Sequence, residues 1–171
     1  MWSTFSSSHS KIAEAIDSSA DTLSIRTKLP VLKLKNIQVN EILAHAREQA
    51  PQECCGVIGG DTTDKATSVY RMRNVAAAPL VTYEAAPEDL FAAQRTMRER
   101  GAELIAIYHS HPRSKDPQPS ETDVRLAYYP SAVYLIVGLG SEEPCLRAFR
   151  ISERAGSWEA AEFEIVADSD Q

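Results

Sequence analysis

Leu104-Ile105-Ala106-Ile107-Tyr108-His109-Ser110-His111-Pro112 is the most apolar stretch of the chain, and it ends in two histidines. The apolar run predicts a central, buried strand. Side chains of a strand alternate between faces, so His109 and His111 project to the same side and both imidazoles can reach one cation. Pro112 favours extended backbone at His111 and keeps the second histidine in strand geometry. Seven residues later comes Ser120-Glu121-Thr122-Asp123, after a proline-rich loop long enough to fold back. Two imidazole nitrogens and the Asp123 carboxylate make a three-ligand set with one tetrahedral position left for water, the arrangement of catalytic rather than structural zinc.

Each half of this pattern also has a plainer use. Histidines at strand ends often hydrogen-bond to a loop, and Ser120-x-x-Asp123 has the form of a helix capping box. Their conjunction favours the metal, because the chain has four histidines and two of them stand here. His45 falls within an expected helix and His9 near the N-terminus. Hydrolysis at such a site also needs a proton acceptor that is not a ligand. Glu53, in Pro51-Gln52-Glu53-Cys54-Cys55-Gly56-Val57-Ile58-Gly59-Gly60, is expected at the start of a short apolar strand, where partial burial raises a carboxyl pKa. Spacing alone leaves Glu41 and Glu84 as competitors. Cys54 and Cys55 next to Glu53 read as buried strand residues rather than nucleophiles.

Working outward, the pattern predicts a strand at 31–35, a helix at 41–49 capped by Asn40 and stopped by Pro51, and strands at 54–60 and 66–74. A second helix starts at Pro87 and ends before Gly101. After the histidines follow a helix at 120–128, a buried strand at 132–138, and strands at 146–151 and 162–166, the last ones close enough to pair as a hairpin. The fold class expected is α/β (α+β), a sheet flanked by helices. Residues 1–30 hold eight serines within the first 24 positions and few apolar residues, which predicts a flexible extension with at most a short helix at 11–16. The folded domain is expected over 31–171.

Of 171 residues, 43% are hydrophobic and 25% charged, which suits one soluble globular domain. A net charge of −6 argues against a nucleic-acid partner. No run approaches the roughly 18 apolar residues of a membrane span. The first residues lack the basic head and apolar stretch of a signal peptide. Three cysteines, two of them adjacent, make no disulfide framework and suggest the cytoplasm.

The series Glu53 … His109-Ser110-His111-Pro112 … Ser120-Glu121-Thr122-Asp123 resembles the signature of the JAMM (MPN+, Mov34/PAD-1) zinc metalloproteases: a glutamate, His-Ser/Thr-His-Pro, then Ser-x-x-Asp. Pro51-Gln52-Glu53-Cys54-Cys55-Gly56 resembles the bacterial branch, which includes the sulfur-carrier–cysteine peptidases, and the likeness spans about residues 34–166. The resemblance implies the MPN/JAMM fold, cytidine-deaminase-like, with a mixed and largely antiparallel sheet. It implies one Zn2+ per chain on His109, His111 and Asp123, Glu53 as general base and Ser120 as donor to the oxyanion, and it leaves Glu41 an ordinary helix residue. It further implies peptidase or isopeptidase action after the C-terminal Gly-Gly of a small ubiquitin-like or sulfur-carrier protein, the cysteine-adduct version belonging to cysteine biosynthesis. The rival reading is a non-catalytic MPN-type scaffold, whose ligand positions would be lost. A zinc deaminase is disfavoured, since its His-x-Glu and paired-cysteine signature is missing.

Overall fold

Strand β4, Glu103–His111, is the longest among the described residues and carries His109 and His111 at its C-terminal end. A computed structural model describes residues 31–168; the expected extension at 1–30, its helix at 11–16 and the last three residues lie outside the described residues. The other elements are β1 (Leu32–Lys35), α1 (Asn36–Gln49), β2 (Cys55–Gly60), β3 (Ala66–Met72), α2 (Pro87–Glu99), α3 (Glu121–Arg125), β5 (Val133–Gly138), β6 (Cys145–Ser152), β7 (Ser157–Ala161) and β8 (Phe163–Val166).

Six strands form one sheet in the order β3-β2-β4-β5-β6-β7, and β1 pairs with β8 in a separate two-stranded ribbon. Within the large sheet only β4 and β5 run parallel, because α3 and its loop carry the chain from one to the other. The remaining pairings are antiparallel. The expected mixed, largely antiparallel sheet with flanking helices is what the chain forms.

The period-two alternation of the buried strands divides the core into two layers. Ile58, Tyr108, Leu135 and Val137 face α1 and β1, packing with Leu34, Ile42 and Ala46. Val57, Ile107, Tyr134 and Ile136 face the other way, against Met97 of α2 and the segment around α3. Gly56 permits the first layer: a Cβ there would stand 2.3 Å from the Tyr108 ring, so only glycine lets that ring lie across β2.

Several expected boundaries shift. Helix α1 begins a turn earlier than Asn40, because the Gln38 Oε1 accepts the Lys35 N–H at 2.8 Å and closes the helix start itself. Helix α3 stops at Arg125 rather than Tyr128: Pro130 disfavours helical backbone before it, and the Tyr129 N–H donates to the Tyr134 hydroxyl at 3.2 Å. The C-terminal hairpin is β6 with β7, turned at Gly156 with φ +61°. The strand expected at 162–166 is β8, which leaves the sheet to pair in parallel with β1. Among the described residues, no helix is long and apolar enough to cross a membrane.

Candidate metal centre

His109 and His111 leave β4 on the α2 and α3 face, and their Nε2 atoms come within 3.1 Å of each other. Asp123, in the first turn of α3, meets both: Oδ1 stands 3.3 Å from His109 Nε2 and Oδ2 3.3 Å from His111 Nε2. His109 and Asp123 are buried, and His111 is partly open. Ser110, between the two histidines, turns to the opposite face, where its Oγ accepts the Cys54 N–H at 2.9 Å and ties β4 to the start of β2.

Ser120-x-x-Asp123 forms the capping box, and the same box sets Asp123 beside the two histidines. Ser120 Oγ accepts the Asp123 N–H at 3.1 Å, and the Ser120 N–H donates to Asp123 Oδ2 at 2.7 Å. The cap therefore fixes the Asp123 carboxylate against the histidines and leaves the Ser120 hydroxyl hydrogen free to donate. The loop between the ligands is seated by two glycines. A Cβ at Gly138 would stand 2.5 Å from Ser114 O, and one at Gly140 2.5 Å from Arg113 O. Asp116 in this loop is exposed and pairs with Arg147 of β6 at 2.8 Å.

Glu53 lies two residues before β2 rather than within it, is 5% exposed, and places Oε1 3.9 Å from His111 Nε2. Its Oε2 is buried without a hydrogen-bond partner. Burial pushes its carboxyl pKa up to about 7, a rise that His111 opposes and Asp123 reinforces. Of the competing glutamates, Glu41 sits 3.7 Å from Arg71 on the α1 side, and Glu84 is exposed. Only Glu53 reaches the histidines.

Electrostatics prepares the donors. Burial pushes the His109 pKa down, outweighing its hydrogen bond to Asp123, so the ring is neutral and keeps a lone pair for a cation. In His111 burial also acts downward, but the hydrogen bond and charge of Asp123 outweigh it and raise the pKa. Asp123 is held ionised: burial alone would raise its pKa, and the two histidines pull it well below the carboxylate range.

These residues fit a metal. His109, His111 and Asp123 offer one ligand atom each, all within 4.8 Å of one another. Ligand atoms about 2.0–2.1 Å from a tetrahedral centre stand roughly 3.3 Å apart, near the 3.1 Å between the two Nε2 atoms and the 3.3 Å from each of them to one Asp123 oxygen. The Glu53 carboxyl stands beside them through Oε1, 3.9 Å from His111 Nε2, and its buried Oε2 has a lone pair left unused.

Two residues that sequence reading did not single out complete the site. Tyr83 stacks on His109, ring centroids 4.5 Å apart and planes at 26°. Asn74 uses its whole amide: Nδ2 donates to the carbonyls of Glu53 (2.9 Å) and Thr82 (3.1 Å), and Oδ1 accepts the N–H groups of Ala76 and Glu84, both at 3.0 Å. Both residues act through tertiary contacts, and for neither does the sequence hold a local signal. Beside the centre lies an apolar cavity of about 660 Å³, walled by Tyr83, Asp123, Leu90, Ile107, Leu126 and Tyr134 among others.

Cys54 and Cys55 are buried, and burial pushes their thiols up to about 11 and about 12. At neutral pH neither is a thiolate.

Comparison with known proteins places the chain in a family. Residues 36–152 match the model of the prokaryotic homologs of the JAB domain. The desampylase of Haloferax volcanii is 43% identical over 102 residues, 57% of this chain and 73% of that protein. The CysO-cysteine peptidase of Mycobacterium tuberculosis is 33% identical over 129 residues, 73% of this chain and 86% of its own length. A protein from Desulfitobacterium hafniense, solved in solution, superposes with a TM-score of 0.69 at 32% identity, covering 82% of this chain and 94% of that one. The chain belongs to the prokaryotic JAB-domain family, in which these named relatives are a desampylase and a peptidase.

Proposed function

We propose that this protein is a zinc-dependent JAMM-type metallopeptidase that hydrolyses the bond after the C-terminal Gly-Gly of a small ubiquitin-like or sulfur-carrier protein. The observation that carries the reading is the convergence of His109, His111 and Asp123 beside the buried, unpartnered Glu53 Oε2. Its catalytic domain is assigned to residues 31–171, with 1–30 outside the chemistry. Three free cysteines suit a reducing compartment such as the cytoplasm.

A zinc ion bound by these three residues would supply Lewis-acid polarisation of a carbonyl and a water that ionises near neutrality. The protein's own groups do the rest. Glu53 accepts the proton of the attacking water at Oε2 and returns it to the leaving amine, a task suited to a carboxyl raised towards neutrality. Ser120 donates its free hydroxyl hydrogen to the oxyanion. Asp123, fixed by the Ser120 cap, holds its charge throughout.

Access supports this choice of substrate. The centre lies at a strand end, sunk so far that His109 is fully buried. A segment without side chains reaches such a centre most readily, and Gly-Gly is the thinnest peptide available. Likeness over 73% of the chain to a protein named CysO-cysteine peptidase favours a C-terminal cysteine adduct over a lysine isopeptide.

The test is metal analysis of the purified protein, joined to mass spectrometry of carrier proteins extended as Gly-Gly-Cys or linked through Gly-Gly to lysine. About one zinc per chain and release of cysteine are expected. Zinc without cleavage of either carrier overturns the specificity; neither zinc nor cleavage overturns the enzyme and favours a scaffold.

A further inference from the structure

We propose that Tyr83 is the positioning residue for His109, its ring taking over the orienting task that a hydrogen bond at Nδ1 performs for most metal-bound histidines. The proposal rests on the reading of His109, His111 and Asp123 as metal ligands.

A ligating histidine usually donates its second ring N–H to a carboxylate or carbonyl, which fixes both tautomer and ring orientation. Here His109 offers Nε2 to the centre, and its Nδ1 is buried with no partner. At Nδ1 no hydrogen bond resists rotation of the ring about its Cβ–Cγ bond. Packing must do so. Tyr83 lies flat against one face at 4.5 Å and 26°, and the His111 ring meets His109 edge-on at 4.9 Å and 62°. Rotation of His109 would drive its ring into the tyrosine.

The stacking has an electrostatic side as well. An imidazole bound to a cation gains partial positive charge, and the negative π-face of a tyrosine attracts it, so the contact strengthens when metal binds. Tyr83 also stands between His109 and the apolar cavity of about 660 Å³, whose wall it shares with Asp123. Without the ring, His109 would face that cavity and gain room to turn.

The tyrosine is itself held in place. Asn74 grips the chain on both sides of it, through the Thr82 carbonyl and the Glu84 N–H, and the Val75 N–H donates to Glu84 O at 2.8 Å. The same amide holds the Glu53 carbonyl, so the ring that orients the ligand and the segment that carries the base share one anchor.

The test measures zinc affinity by chelator competition for the whole protein and its Tyr83→Phe, Tyr83→Leu and Leu90→Ala variants, with the visible spectrum of the cobalt-substituted forms. Leu90 lines the same cavity, and substituting it perturbs packing without removing the stacked ring. Tyr83→Phe keeps the stack and is expected within about threefold of wild type. Tyr83→Leu is expected to lose ten- to a hundredfold in affinity, the usual cost of removing an orienting partner, and to shift the cobalt bands. Leu90→Ala is expected to melt lower yet bind zinc normally. Wild-type affinity and an unchanged cobalt spectrum in Tyr83→Leu overturn the proposal, as does an equal affinity loss in Leu90→Ala. A wild-type protein that takes up no metal overturns the metal centre itself, a distinct outcome.

Discussion

Asn74 binds the backbone of Glu53 to the segment that carries Tyr83: one Nδ2 group donates to Glu53 O at 2.9 Å and to Thr82 O at 3.1 Å. Glu53 is thereby held from behind, with its own N–H donating to Pro79 O at 2.7 Å. Asn74→Asp keeps an acceptor for the Ala76 and Glu84 N–H groups but loses both donations. The expected result is a stability loss of about 1–3 kcal/mol, the range for stranded hydrogen-bond partners, with a larger proportional loss of turnover than of zinc. Urea unfolding, zinc content and turnover measured together check it.

Glu53 costs stability in the metal-free protein, and the sign can be worked out. Its folded pKa, raised by burial to about 7, lies above the unfolded value of 4.5. The native state therefore binds more protons between those values, and the contribution of this group is full below pH 4.5 and lost as pH rises through 7. Glu53→Gln removes the penalty. Metal-free Glu53→Gln protein is expected to be more stable than wild type at pH 8, by on the order of 3 kcal/mol, and not at pH 4. Urea unfolding at both pH values measures this. A bound cation would lower the Glu53 pKa again, so the acid limb of the holoenzyme's rate profile is expected below pH 7. The same variant should keep zinc and lose nearly all hydrolysis.

Much of this site was legible because its parts are local in sequence. His109 and His111 are two apart on one strand, and Ser120 and Asp123 are joined by a cap three residues long, so periodicity and spacing suffice. Glu53 needed the family likeness: it stands 56 positions before His109, and only the pairing of β2 with β4 brings it near. Tyr83 and Asn74 act through tertiary contacts that no local pattern encodes. The same distinction explains the fold. The apolar runs of β2, β4 and β5 announce buried strands, whereas the parallel union of β1 with β8 joins the two ends of the described chain and has no local signal. Helix ends were misjudged where a side chain elsewhere in space, such as the Tyr134 hydroxyl, took the backbone group instead.

The cysteines offer a direct check on the rejected nucleophile. Cys54 and Cys55 are buried with thiols pushed up to about 11 and about 12, whereas Cys145 is partly exposed. Iodoacetamide at pH 8 is expected to label native protein at Cys145 alone, and all three cysteines after unfolding. Peptide mass spectrometry reads the sites. Labelling of Cys54 in the native state, with loss of activity and zinc retained, would count against the metal mechanism.

Ser120 carries two duties that a pair of substitutions can separate. As a cap, its Oγ accepts the Asp123 N–H at 3.1 Å; in the proposed mechanism, its hydrogen serves the oxyanion. Ser120→Ala removes both and is expected to cost about 1 kcal/mol of stability and on the order of 10²–10³ in turnover. Aspartate caps a helix as well as serine does, but a carboxylate has no hydrogen to donate. Ser120→Asp is therefore expected to recover the stability and none of the turnover, its charge opposing an oxyanion besides. Thermal unfolding and steady-state kinetics of both variants, with zinc content as the control, decide the matter. If Ser120→Asp regains activity in step with stability, the cap alone matters, and Ser120 acts only by holding Asp123 against the histidines.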